Sequence, residues 1–208
     1  FRGTEKCALR DCYIHNVGGN GIFFDKYNRH SAITGSFLTS IGASAICFVG
    51  DPAGVRSPSF RYEEFVTLDK MDRAKGPLNE NHPAYCEVYN NLICNIGLFE
   101  KQITGVELSM CRNITISHNS IYDTPRAGIN ISEGTWGGHI IEHNDIFNTV
   151  KETGDHGSIN SWGRDRFWHP DYNIMAQIVC EHPALILADI VNPIIIRHNR
   201  LRCDRGWD

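Results

Sequence analysis

Val88-Tyr89-Asn90-Asn91-Leu92-Ile93, Ile116-Ser117-His118-Asn119-Ser120-Ile121 and Ile141-Glu142-His143-Asn144-Asp145-Ile146 carry the same residue types in the same order. Each has an aliphatic residue, two polar ones, an asparagine, another residue and a second aliphatic. The asparagines are 28 and 25 residues apart. Self-similarity at such a period signals a solenoid or a propeller, and it takes precedence over any local assignment.

The pattern extends in both directions. Ile196-Arg197-His198-Asn199-Arg200-Leu201 is a fourth copy. Ala8-Leu9-Arg10-Asp11-Cys12-Tyr13 and Ile33-Thr34-Gly35-Ser36-Phe37-Leu38 are weaker copies, with Asp11 and Ser36 in the asparagine slot. The flanking columns are almost purely apolar while their neighbours vary, as stacked core positions do. Each copy leads to a second strand opened by a small residue: Gly21-Ile22, Ala45-Ile46, Gly105-Val106 and Gly128-Ile129. Period-two alternation and β-branched residues predict strands, and helical periodicity is nearly absent. Two short strands and tight turns per ~25 residues describe one rung of a parallel β-helix. A WD-type propeller needs about 40 residues and four strands per unit, so it fits less well. Rungs would stack at ~4.8 Å, with each asparagine bonding to its equivalents above and below.

On this repeat the chain resembles the right-handed parallel β-helix superfamily of pectate-lyase-like carbohydrate-active proteins. The resemblance covers nearly all 208 residues. It implies an all-β solenoid of about six rungs and leaves the activity open, because a fold hosts many activities.

The predicted rungs are 6–30, 31–50, 86–112, 113–138, one starting at His139 and one at Pro193. Two excursions interrupt them, at about 51–85 and 163–192. The first carries Asp-Pro, Ser-Pro, Gly-Pro and His-Pro breakers, with a short helix expected near 63–74. Both leave after the second strand of their rung, and both lengthen the asparagine spacing to 55 residues. Insertions at one rung position emerge on one face, commonly the binding face. Their roots would be three steps, ~14 Å, apart, with two rungs as the floor of a trench suited to a sugar chain. The alternative is that the loops merely cover sheet edges. Both termini of the chain look cut, and an excerpt of a longer protein is expected.

A net charge of −4 offers no broad basic surface, which argues against nucleic acid as a partner. No apolar run is long enough to span a bilayer. The eight cysteines contain no Cys-x-x-Cys, so small apolar fillers such as Cys12 and Cys47 are expected. A disulfide from Cys7 to a neighbouring rung is the other possibility.

Along the second strand Ile22, Ile46, Val106, Ile129 and Ile159 are read as inward, with Trp207 at the corresponding place. The following residues then face out: Phe23, Cys47, Glu107, Asn130, Asn160 and Asp208. This column turns from apolar to polar where the trench is expected. The densest segment, Gly154 to His169, gathers Asp155, His156, Trp162, Arg164, Asp165, Arg166 and Trp168 around one short strand. Aromatic and charged groups together on a loop are a site signature. The alternative is that Asp155 caps a turn and Arg164, Asp165 and Arg166 form a surface ion-pair cluster. Glu133, with Trp136, belongs either to the trench wall or to a turn.

This segment, with Gly206-Trp207-Asp208, is similar to bacterial β-helix proteins of, or near, glycoside hydrolase family 141, which includes α-L-fucosidase and xylanase activities. The resemblance implies a secreted, periplasmic or cell-surface glycosidase using two aspartates, drawn from Asp155, Asp165 and Asp208. Asp165 with Asp208 is the preferred pair, Asp155 the substitute for Asp165, and Glu107 a further candidate. Glycoside hydrolysis needs a protonated carboxyl and an ionised carboxylate. Adjacent rungs begin ~5 Å apart, near the retaining separation, and a loop acid such as Asp165 reaches the inverting one. His156, Asn130, Asn160, Trp162, Arg164, Trp168 and Glu133 are the expected substrate-binding residues. No cofactor or metal is expected, and carbohydrate is the one partner, with no nucleic acid and no membrane.

Two other functions compete. A polysaccharide lyase would use Arg164 or Arg166 as base and often calcium. A non-catalytic carbohydrate-binding or adhesin β-helix would tolerate loss of its acids. His118, His143 and His198 precede the asparagine in successive copies, and stacked imidazoles are a better reading of them than a metal ladder.

Overall fold

The computed structural model describes residues 1–56, 76–132, 136–161 and 193–203. They form a right-handed parallel β-helix of three parallel sheets. The first coil contains β1 (Arg2–Glu5), β2 (Ala8–Arg10) and β3 (Tyr13–Val17), and the second β4 (Ile22–Arg29), β5 (Ala32–Thr34) and β6 (Phe37–Ile41). Then come β7 (Ile46–Val49), β8 (Pro83–Ala84), β9 (Glu87–Tyr89), β10 (Leu92–Ile96) and β11 (Val106–Ser109). They are followed by β12 (Thr115–Ser117), β13 (Ser120–Tyr122), β14 (Ile129–Ile131), β15 (Ile140–Glu142) and β16 (Asp145–Thr149). The last are β17 (Ile159–Ser161), β18 (Ile195–Arg197) and β19 (Arg200–Cys203). The first sheet runs β1-β4-β7-β11-β14-β17, with β8 also on β4. The second runs β2-β5-β9-β12-β15-β18 and the third β3-β6-β10-β13-β16-β19. Among the described residues no helix is long and apolar enough to cross a membrane.

Each coil therefore has three strands where the repeat pattern suggests two. The repeated hexamer is itself two strands with a corner between them. Ile116 and Ile121 are both fully buried, on β12 and β13. Five residues apart in one flat strand, they would face opposite sides. The chain turns instead at His118, whose φ of 58° is left-handed, as are Asn90 (55°), His143 (56°) and His198 (55°). Asn and His are among the residues that tolerate this region best.

Cys12, not Asp11, occupies the asparagine slot of the first copy. Tyr13 pairs with Phe37 and Leu9 with Ile33, and the Cys12 amide donates to Ser36 Oγ. Asp11 (φ 52°) lies instead in the left-handed column beside Gly35 (60°). Leu9 and Ile14 thus face inward there, and Tyr13 is 60% exposed.

Inside the corner the asparagines form a ladder. Asn91 Nδ2 donates to Asn119 Oδ1 (3.0 Å), Asn119 Nδ2 to Asn144 Oδ1 (3.0 Å), and Asn144 Nδ2 to Asn199 Oδ1 (2.9 Å). Each Oδ1 also accepts the backbone N–H of the asparagine in the preceding coil, at 2.9–3.0 Å. Buried turns would otherwise leave these amides unpaired, at a cost of ~1–3 kcal/mol each. Outside the same corner, His118, His143 and His198 stack with ring centroids 4.9 and 5.0 Å apart.

The core is made of inward files. Ile33, Val88, Ile116 and Ile141 on the second sheet and Leu38, Ile93, Ile121 and Ile146 on the third are all fully buried. On the first sheet Phe1, Phe24 and Phe48 stack at 4.6 and 4.7 Å. Burial of each fully buried side chain contributes roughly 1.5–3 kcal/mol, and Phe1, 40% exposed at the end of its stack, contributes less. Cys86 and Cys111 fill the core, Cys47 and Cys94 are buried outside it, and the Cys7 thiol is free.

The small residue opening each first-sheet strand has a steric cause. A Cβ at Gly105 would lie 2.7 Å from both the Gly128 carbonyl oxygen and Ile121 Cγ2. Gly105→Ala is expected to cost about 1–3 kcal/mol in a urea unfolding titration, the usual range for overpacking. Gly19→Ala, where a Cβ meets nothing within 4 Å, should stay within about 0.5 kcal/mol of the parent.

Two buried histidines couple the fold to pH. His139 accepts the Ile114 amide on Nδ1 (3.2 Å), and burial lowers its pKa to about 4. His82 packs on Trp136, and neither ring nitrogen has a hydrogen-bond partner among the described residues. Burial, with Arg29 and Arg112 nearby, brings it also to about 4. Both imidazoles fold neutral, so their contribution is complete above ~6.5 and is lost as pH falls toward about 4. Unfolding free energy should drop across that window, with a slope of up to about 1.4 kcal/mol per pH unit for each histidine. Equilibrium unfolding at stepped pH checks this, and His82→Phe should flatten the slope.

Candidate functional site

The first sheet's outer face carries the file anticipated from the sequence. Phe23 pairs with Cys47, Cys47 with Glu107, Glu107 with Asn130, and Asn130 with Asn160. Their predecessors Ile22, Ile46, Val106 and Ile129 are buried in the core, and Ile159 packs against it. The pleat therefore directs the file to the opposite side. Both excursions leave from this sheet, after Val49 at the end of β7 and after Ser161 at the end of β17. β11 and β14 lie between those two strands.

Two open hollows lie along the file. One, about 380 Å³, is lined by Phe23, Cys47, Val49, Glu107 and Asn130 among others. The second, about 480 Å³, is lined by Asp155, His156 and Asn160. Gln102 and Arg126 border both.

Glu107 is the half-buried carboxylate of the first hollow. Asn130 Nδ2 donates to Oε1 and Oε2, both at 3.0 Å, and Thr104 Oγ1 to Oε2 at 3.3 Å. Burial pushes its pKa above the usual carboxylate range, opposed by the bonds from Ser132 and Asn130 and by the charge of Arg126. Desolvation exceeds these countervailing effects, so the site favours the acid form more than water does. Beside it, burial raises the Cys47 thiol to about 12, which keeps it protonated and inert.

Arg126 follows Pro125 in the turn before β14 and is only 5% exposed. Its Nε donates to His156 Nε2 at 3.0 Å. Burial and Arg126 lower the His156 pKa, against the pull of Asp155. An imidazole that accepts on Nε2 carries its proton on Nδ1. Nδ1 lies 2.9 Å from Asp155 Oδ1 and 3.0 Å from Thr153 Oγ1. The Asp155 side chain is 81% exposed, so it lacks the burial that acts on Glu107.

Glu107, Asn130, Asn160, His156 and Asp155 are thus brought to one face. Asp165, Asp208, Trp162, Arg164, Trp168 and Glu133 lie outside the described residues, as do Arg166, Trp207 and the helix expected near 63–74. Gln102 and Arg126 are additions that the sequence reading missed. Arg126 stands directly before Ala127-Gly128-Ile129, where the chain enters the first sheet, and that placement was the available signal. Among the described residues no group of three or more His, Cys, Asp or Glu is placed to hold a metal ion. The histidine stack lies at the corner between the second and third sheets, away from the file.

No family model matches the chain, and no curated protein matches it. Among solved structures, the A-modules of the Azotobacter vinelandii mannuronan C-5 epimerases AlgE6 and AlgE4 are similar, at 13% and 12% identity with TM-scores of 0.48 and 0.46. Each alignment covers 76% of this chain and 39% of that module, so the chain spans about two fifths of their length.

Proposed function

We propose that the first-sheet trench is the site of a carbohydrate-active enzyme, a glycoside hydrolase in which Glu107 acts as general acid. The observation that carries this reading is a carboxyl on the floor of an open hollow, held by Asn130 and Thr104 and shifted toward its protonated form by burial. General acid catalysis of glycoside cleavage needs such a group, with a pKa nearer the working pH than that of a solvated carboxylate. Amides and hydroxyls beside it (Asn160, Gln102, Ser132) match the donors and acceptors of a sugar, and Phe23 adds an apolar surface. The ionised partner carboxylate is assigned to Asp165 or Asp208, with Asp155 as the substitute, from the sequence resemblance.

His156 favours a second reading. The imidazole fixes the Arg126 guanidinium at the border of both hollows, where it suits the carboxylate of a uronate, the sugar whose neighbouring proton a lyase abstracts. The experiment is a panel of aryl glycosides and polysaccharides, read for released aglycone and new reducing ends and for the ultraviolet absorbance of an unsaturated uronate. Aglycone or reducing ends without that absorbance support the hydrolase; the absorbance supports the lyase. Binding without turnover would overturn both in favour of a carbohydrate-binding module.

A further inference from the structure

We propose that Asn160 is a positioning residue for Glu107, coupled to it through Asn130, so that the proton on Glu107 and the orientation of both side-chain amides change together. The inference rests on the reading of Glu107 as the acid and extends it to a strand two coils' steps away.

The geometry is a single file of hydrogen bonds. Asn160 Nδ2 donates to Asn130 Oδ1 at 2.7 Å, and Asn130 Nδ2 donates to both oxygens of Glu107 at 3.0 Å. Asn130 is 2% exposed, so water has little access to either end of its amide. An ionised carboxylate only accepts. It therefore requires the N–H end of Asn130, which leaves Asn130 Oδ1 to accept from Asn160 and directs Asn160 Oδ1 away from the file. A protonated carboxyl also donates. Its O–H is satisfied by Asn130 Oδ1 once that amide turns over, and the Asn130 N–H end then faces Asn160 Oδ1. Asn160 in turn presents its own N–H end to the hollow it lines. The hydroxyls of Thr104 and Ser132, beside Glu107 and Asn130, do not prevent the turn, because a hydroxyl donates or accepts as required.

The consequence is reciprocal. A substrate oxygen that accepts from Asn160 raises the proton affinity of Glu107, because linkage between two binding events is symmetric. When Glu107 passes its proton to the leaving oxygen, the amides revert and Asn160 withdraws that donor. The file thus loads the acid when the neighbouring subsite is filled and loosens the subsite when the proton has gone.

The test follows the Glu107 side-chain carboxyl carbon and the Asn130 and Asn160 side-chain nitrogens by NMR across an acid titration of the whole chain. In the parent protein both nitrogens should titrate with the Glu107 midpoint, and in Glu107→Gln both should be flat. Asn160→Asp, whose carboxylate only accepts, should raise the Glu107 midpoint by about one pH unit. In an Asn130→Ala background the same change should raise it by less than half as much, since only the through-space part remains. An Asn160 nitrogen that stays flat in the parent protein overturns the proposal, as do equal shifts in the two backgrounds. The parent titration decides the matter even where a variant fails to fold. It uses no substrate, so a coupled titration in a protein without turnover sinks the enzyme reading alone, and turnover with a flat Asn160 sinks the coupling alone.

Discussion

Asn119→Ala will lower the unfolding free energy by about 3–6 kcal/mol, a large part of the 5–15 kcal/mol typical of a folded domain. Asn119 is 1% exposed and sits in the middle of the ladder. Its Oδ1 accepts the backbone amide and the side-chain amide of Asn91, at 2.9 and 3.0 Å. Its Nδ2 donates to the carbonyls of Val88 (2.9 Å) and Ser117 (3.0 Å) and to Asn144 Oδ1. Truncation strands several of these groups at a corner closed to water, and each stranded group costs ~1–3 kcal/mol. Asn199→Ala removes the same side chain from the last described coil, where the asparagine is half-buried. Its partners on Asn144 and Ile141 are buried, but the vacated side opens to solvent and water can take part of its place, so a smaller loss of about 1–2 kcal/mol is expected. Urea titrations of both variants check the ladder. A cost at Asn119 of no more than about 1 kcal/mol would mean that the asparagines are incidental to the corner.

In its proposed role of general acid, Glu107 makes the larger prediction for activity: Glu107→Gln is expected to lower kcat by about 10²–10⁴-fold on a glycoside that the panel shows to be turned over. The same change should make the protein more stable at neutral pH. A carboxyl whose folded pKa is raised contributes stability that is present below its unfolded pKa and lost as pH rises through the folded one. At neutral pH the ionised, desolvated form therefore opposes folding, and a neutral amide of the same shape relieves that opposition. Below the unfolded carboxylate range the two proteins should have equal stability. Melting curves at the two pH values, alongside the kinetics, separate this pattern from simple damage, which would cost stability at both. Lost activity together with gained stability is the pattern that the proposed role predicts.

The solenoid was readable because its inward columns hold one residue type while their neighbours drift. Ile33, Val88, Ile116 and Ile141 needed no structure to be aligned. The third strand of each coil was not read, although the five-residue gap between Ile116 and Ile121 implies it. Two buried residues at an odd spacing require a bend, and left-handed His118 makes it. The slip at Asp11 arose because an acidic residue resembles the asparagine it was set against. In space it is a left-handed residue next to Gly35, and the slot belongs to Cys12.

Of the site, the outward file was legible from alternation, and the register of β4, β7, β11, β14 and β17 carries it from Phe23 to Asn160, with Asp208 outside the described residues. Arg126 was not, because nothing in a sequence tells a buried guanidinium from a solvated one. The balance at Glu107 was equally hidden. It depends on how far desolvation outweighs the bonds from Ser132 and Asn130, and those distances exist only in the fold.

The most direct measurement of the central claim is amide chemical-shift mapping of Glu107→Gln titrated with an oligosaccharide drawn from the substrate panel. The proposed site predicts that shifts concentrate at Phe23, Cys47, Gln102, Arg126, Asn130 and Asn160, with the third sheet unmoved. Shifts centred on the third sheet's outer residues, Tyr13, Phe37 and Leu92, with the first-sheet file silent, would contradict it.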